Sequence, residues 1–117
     1  MHTSPRGSPS WTVEFEPEVS EWIIGLSPEE RARVLRFIDL LEEQGNKLRM
    51  PRSRSLGEGL FELRFPLGRQ ERRITYGFGT GGRIVLLTVF RKQRHAERKE
   101  IDRARAALER SKADDDR

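Results

Sequence analysis

The sequence contains no cysteine, so neither a disulfide nor a zinc–thiolate site belongs to its design. It has one tyrosine and two histidines, which leaves few side chains able to move a proton near neutral pH. No apolar run approaches the roughly 20 residues of a membrane span. The first residues lack the apolar core of a secretory signal. A reducing cytoplasm is the expected compartment, with no membrane partner. The glycines at Gly79, Gly81 and Gly82 are not followed by the lysine and helix of a phosphate-cradling loop. Asp39, Glu42 and Glu43 have no histidine or cysteine at ligand spacing, so no metal site and no cofactor is expected. No Ser-His-Asp set stands out.

What is present is charge. Charged residues make up 36% of the 117 residues and the net charge is +4. That length supports one domain with a single modest core. Six glutamates and no Lys or Arg lie between Gly7 and Glu30, whereas eight cations face three glutamates between Lys47 and Arg73. Eight more cations fall between Arg83 and Arg105. The cationic second half would attract polyanions.

Residues 1–10, rich in Ser, Pro and Gly, predict a disordered tail. Trp11, Val13 and Phe15 alternate with polar residues and predict a half-buried strand. Pro17 opens a short helix to about Leu26, with Val19, Trp22, Ile23 and Leu26 on one face. Ser27-Pro28-Glu29-Glu30 is a capping sequence for a second helix running to about Gln44, stopped by Gly45-Asn46. The two helices predict a hairpin.

Lys47 to Gly59 reads as a basic loop. Three antiparallel strands follow, at 60–65, 72–79 and 84–90. The last is nearly all apolar, as for a strand buried on both faces. A helix is expected from His95 to Ser111, with Ile101, Ala104 and Leu108 on its stripe, and then a charged tail from Lys112.

Alternation puts Phe61, Leu63 and Phe65 on one sheet face and Glu62 and Arg64 on the other. It puts Ile74, Tyr76 and Phe78 inward and Arg73 outward. Arg91, Lys92 and Arg94 emerge where the last strand ends. The expectation is a sheet with one apolar face and one cationic groove, suited to phosphates and above all to RNA. His95 reads either as a general acid or base or as a solvated helix-start residue. Tyr76, Trp11 and Trp22 read as core.

The segments Leu-Phe-Glu-Leu-Arg (60–64), Arg-Ile-Thr-Tyr (73–76), Arg-Ile-Val-Leu-Leu-Thr-Val-Phe-Arg-Lys (83–92) and Glu-Ile-Asp-Arg-Ala (100–104) resemble the RelE/ParE toxin superfamily. The most similar branch is the HigB-like, phage-derived group of type II toxin–antitoxin systems. The resemblance spans about residues 11–110. It implies an α+β fold of the RelE-like microbial RNase type: an N-terminal strand, a helical hairpin, an antiparallel sheet of about four strands and a C-terminal helix. It implies a metal-independent endoribonuclease that cleaves mRNA on the ribosome, with a cognate antitoxin as partner and oligomers formed only through that complex.

By the same resemblance, Arg73 matches the arginine poised at the scissile phosphate. Arg64 matches the arginine after Glu-Leu, and Lys92 with Arg91 matches the basic pair after the last strand. His95 lies near a functional histidine of some relatives. Arg54, Arg72, Arg91 and Arg94 are expected to contact RNA. The chain lacks a tyrosine in its last segment, so its proton-transfer group is not identified by the resemblance. The alternative on this fold is a ParE-like toxin that inhibits DNA gyrase by binding and cuts nothing.

Overall fold

The computed structural model describes residues 11–115. The tail expected at residues 1–10 lies outside the described residues. The elements are β1 (Thr12–Phe15), α1 (Pro17–Ile24), α2 (Pro28–Gln44), β2 (Ser53–Gly57), β3 (Leu60–Leu67), β4 (Gln70–Gly79), β5 (Arg83–Arg91) and α3 (Glu97–Asp115). They form one five-stranded sheet in the order β1-β5-β4-β3-β2. β1 runs parallel to β5, and the other neighbours are antiparallel.

The helices begin and end where local chemistry dictates. The Ser27 hydroxyl accepts the Glu30 N–H at 3.2 Å, and Pro28 opens α2. Arg31 then reaches back to α1. Its guanidinium donates to the carbonyls of Ile23 (3.2 Å), Ile24 (2.8 Å) and Leu26 (2.9 Å). Those carbonyls lie at the C-terminal end of α1, where a cation complements the dipole. Gly45 ends α2 at φ 53° and lies against the Trp11 ring, which packs on Phe78 at 5.2 Å between centroids.

Each sheet face has its own core. Val19, Ile23, Val34, Ile38 and Leu41 of α1 and α2 pack on Leu63, Phe65, Ile74, Tyr76, Ile84 and Leu86. Ala104, Ala107 and Leu108 of α3 pack on Leu60, Val85 and Leu87 across the opposite face. β5 is therefore buried on both sides, as its composition predicts. A bulge that leaves Leu87 out of the β4 register resets the alternation.

Three expectations are corrected. The sheet has five strands, because Ser53–Gly57, read as loop, forms an edge strand paired with β3. The second face is not an open cationic surface, because α3 lies along it: Gly77 of β4 approaches Leu108 so closely that an added Cβ would stand 2.6 Å from the Leu108 side chain. The charged tail expected from Lys112 is helical through Asp115. There Asp115 pairs with Arg83, which also binds Glu14 of β1 at 2.8 and 3.0 Å. Among the described residues, no helix is long and apolar enough to cross a membrane.

Candidate active site

Three arginines meet on the α3 side of the sheet, one from each of three adjacent strands. The register sets Arg54 of β2 opposite Glu62 of β3, and Arg64 of β3 opposite Arg73 of β4. Because neighbours of one face alternate by two, Arg54, Glu62, Arg64 and Arg73 form one patch. Thr75 and Thr88 close its inner side, their hydroxyls 2.6 Å apart. The first turn of α3 brings Glu97 over the outer side, and Glu71 reaches in from the start of β4.

Arg73 is the hub. Its Nη1 donates to Glu97 Oε2 at 3.1 Å and lies 3.3 Å from Glu62 Oε2, while its Nε lies 3.9 Å from Glu71. Arg64 Nε lies 3.4 Å from Glu71 and 3.8 Å from Glu62. Arg54 reaches Glu97 at 4.0 Å. The outward placement of Arg73 holds only in the sense that it points away from α1 and α2. Its side chain is 3% exposed, so the expected solvent-facing arginine is a buried one. α3 and the neighbouring carboxylates cover it, and neither is local in sequence.

Glu62 is the residue that sequence reasoning passed over. It is fully buried, and neither carboxylate oxygen has a hydrogen-bond partner within the structure. The buried Nε atoms of Arg64 and Arg73 likewise lack one. Such orphaned polar atoms are rare in folded proteins. Burial pushes the Glu62 carboxyl above its ordinary range. Arg73, Arg64 and Arg54 pull it down, and Glu97 pushes it up. The available signal was alternation, which already set Glu62 beside Arg64.

The remaining predicted residues separate from this centre. Arg72 and Arg91 are cross-strand neighbours on the α1–α2 side, where both donate to Gln70 Oε1, at 3.3 and 3.1 Å. They line a cleft of about 400 Å³ with Trp22, Val89, Phe90 and Gln93. Burial, then the charge of Arg91, lowers the Arg72 pKa. Lys92, Arg94 and His95 are exposed on the segment joining β5 to α3. Only the Lys92 backbone is tied in, its N–H bonded to the Glu71 carbonyl at 3.0 Å. Arg72 and Arg91 thus lie on the sheet face opposite Arg54, Arg64 and Arg73. Tyr76 is core, as expected: it is buried, and its hydroxyl shares a 2.5 Å hydrogen bond with Ser53. Among the described residues, no three His, Cys, Asp or Glu side chains are grouped to hold a metal ion.

Residues 21–109 match the family described as Phage derived protein Gp49-like (DUF891). No curated protein sequence matches the chain. Among solved structures, the chain is similar to the RelBE2 toxin–antitoxin complex of Mycobacterium tuberculosis, with TM-score 0.55 and 20% identity, over 72% of this chain and 100% of that one. It is similar to a double arginine-to-alanine mutant of Escherichia coli toxin RelE in the free state, with TM-score 0.51 and 18% identity, over 87% and 98%. It is also similar to the RelE–RelB complex of Pyrococcus horikoshii, with TM-score 0.52 and 22% identity, over 74% and 99%. These likenesses establish the fold, α+β of the RelE type. With the match covering most of its length, the chain belongs to the phage-derived Gp49-like family.

Proposed function

We propose that this chain is the toxin of a type II toxin–antitoxin pair, acting as a metal-independent endoribonuclease on mRNA at the ribosome and neutralised by a cognate antitoxin. The observation that carries the reading is the three-strand convergence of Arg54, Arg64 and Arg73 on a RelE-type sheet. The reaction is attack of an RNA 2′-hydroxyl on the adjacent phosphodiester. Charge builds on the non-bridging oxygens, and guanidinium N–H groups stabilise it. Arg73 has this role, with Arg64 beside it. In the same reading Arg54 guides the strand into the centre, while Arg72, Arg91, Lys92 and Arg94 bind flanking phosphates. His95 is exposed on the segment that leads into α3. The solved complexes of RelE-type chains with RelB support an antitoxin as the partner.

Mapping of transcript 5′ ends after brief induction tests the reading, with Arg73→Lys as the control. Lysine retains a positive charge beside Glu62 but loses the planar two-pronged donor. New ends inside reading frames, absent from the variant, are expected. Growth arrest with intact transcripts and DNA-damage signalling would replace this reading with gyrase inhibition.

A phosphate must also displace a carboxylate. Of the groups bonded to Arg73, Glu97 is the most exposed, at 37%. Neutralising it removes the competitor, so Glu97→Gln should bind a non-cleavable 2′-deoxy strand about tenfold more tightly than wild type, by charge alone. Fluorescence anisotropy checks this, and equal or weaker binding would show that Glu97 does not occupy the phosphate position.

A further inference from the structure

We propose that Glu62 is the proton acceptor of this site, taking the proton from the attacking RNA 2′-hydroxyl. The proposal rests on the endoribonuclease reading above. A 2′-hydroxyl is a weak nucleophile and needs a base close to the group that holds the phosphate. Tyr76 sits on the other face of the sheet, hydrogen-bonded to Ser53 within the core. His95 and Lys92 are exposed on the β5–α3 connection. Glu71 and Glu97 are partly exposed, at 29% and 37%. Glu62 alone is fully buried inside the arginine cluster, with both oxygens unbonded.

Its position fits the chemistry. Glu62 and Glu97 approach the same nitrogen, Arg73 Nη1, at 3.3 and 3.1 Å. A phosphate oxygen that takes the place of the Glu97 carboxylate would therefore share the Arg73 Nη1 donor with Glu62. Charged groups face Glu62 from every element packed on it: Arg54 from β2, Arg64 from β3, Arg73 from β4 and Glu97 from α3. Burial raises its proton affinity against the pull of the three arginines. A carboxylate of ordinary affinity is a feeble base at neutral pH, and this shift moves it toward the useful range.

The step balances. The proton passes from the 2′-hydroxyl to Glu62 as the O2′–P bond forms. The P–O5′ bond breaks, and the leaving 5′-oxygen takes a proton from solvent. Glu62 then returns its proton to solvent. The products are a 2′,3′-cyclic phosphate end and a 5′-hydroxyl end.

The test is single-turnover cleavage of a defined transcript, free and on programmed ribosomes, between about pH 5 and 9. Wild type should speed up as pH rises through the Glu62 titration. E62Q should fall about 10²–10⁴-fold and lose that pH dependence. Its affinity for the 2′-deoxy strand should be unchanged or tighter, because a negative charge has left the cluster. Wild-type rate and pH profile in E62Q would overturn the assignment, as would parallel losses of binding and cleavage. Should E62Q not fold, E62D decides: slower cleavage with the pH dependence retained supports the assignment, and full wild-type rate overturns it. Wild type that cleaves no RNA in either format would remove the endoribonuclease reading and this assignment with it.

Discussion

Arg73→Ala should cost the fold about 3–5 kcal/mol at neutral pH, the usual consequence of removing one partner from a buried ion pair. Arg73 is 2% exposed and Glu62 fully buried, so the variant leaves a buried carboxylate without its nearest cation. Glu62 would respond by holding its proton to still higher pH. In folded protein its proton affinity is already above the unfolded value, so the native state binds more protons than the unfolded state. Its contribution to stability is therefore full at low pH and is lost as pH rises through the native titration. The alanine variant should show this slope more steeply than wild type. Urea unfolding at pH 5 and pH 8 reads it directly. Adding Glu62→Gln to Arg73→Ala should recover much of the loss at pH 8 and flatten the slope, while leaving the protein inactive. Equal stability of wild type and Arg73→Ala at both pH values would mean that the pair is not buried in solution. Loss of toxicity in Arg73→Ala alone consequently mixes lost chemistry with lost fold, and lysine is the cleaner probe.

Gly45→Ala should be the most damaging glycine substitution, at about 2–6 kcal/mol. Two effects add. The backbone there has φ 53° and ψ −126°, a region that costs a side chain of order 1–3 kcal/mol. An added Cβ would also stand 2.0 Å from the Trp11 indole nitrogen, and overpacking of this kind costs about 1–3 kcal/mol more. Gly59 provides the control. It has φ 81°, and an added methyl there would meet nothing within 4 Å, so Gly59→Ala should show the backbone cost alone. Thermal unfolding of the two variants separates the effects. Equal losses would show that the Trp11 ring yields freely.

Much of the fold was legible because its signals are local. The Ser27 cap, the α2 stop at Gly45, the stripe of α3 and the apolar run of β5 each announce themselves within a few residues. β2 does not. Ser-Arg-Ser-Leu-Gly has no apolar alternation, and its extended form is imposed by pairing with β3. The burial of the candidate site was hidden for the same reason. Alternation correctly grouped Arg64 and Arg73 and even placed Glu62 with them. It could not show that Glu97, 24 residues beyond Arg73, would fold back onto its guanidinium. Period two did set Arg72 with Ile74, opposite Arg73, but Arg91 joins it only because the bulge at Leu87 shifts the end of β5. The alternation within each strand was readable, and the contacts between distant elements were not.

The charge census of the site has a kinetic meaning. Arg54, Arg64 and Arg73 are matched by Glu62, Glu71 and Glu97, so the centre is close to neutral as a whole. The protein's net charge of +4 must then be expressed elsewhere, at groups such as Arg72, Arg91, Lys92 and Arg94. In the proposed function, capture of a polyanion from solution and stabilisation of its reacting phosphate would thus fall to different residues. Ionic strength acts on exposed charges over about a Debye length and hardly on buried ones. Encounter rate should respond to counterions, whereas the rate of the bound complex should hardly notice them.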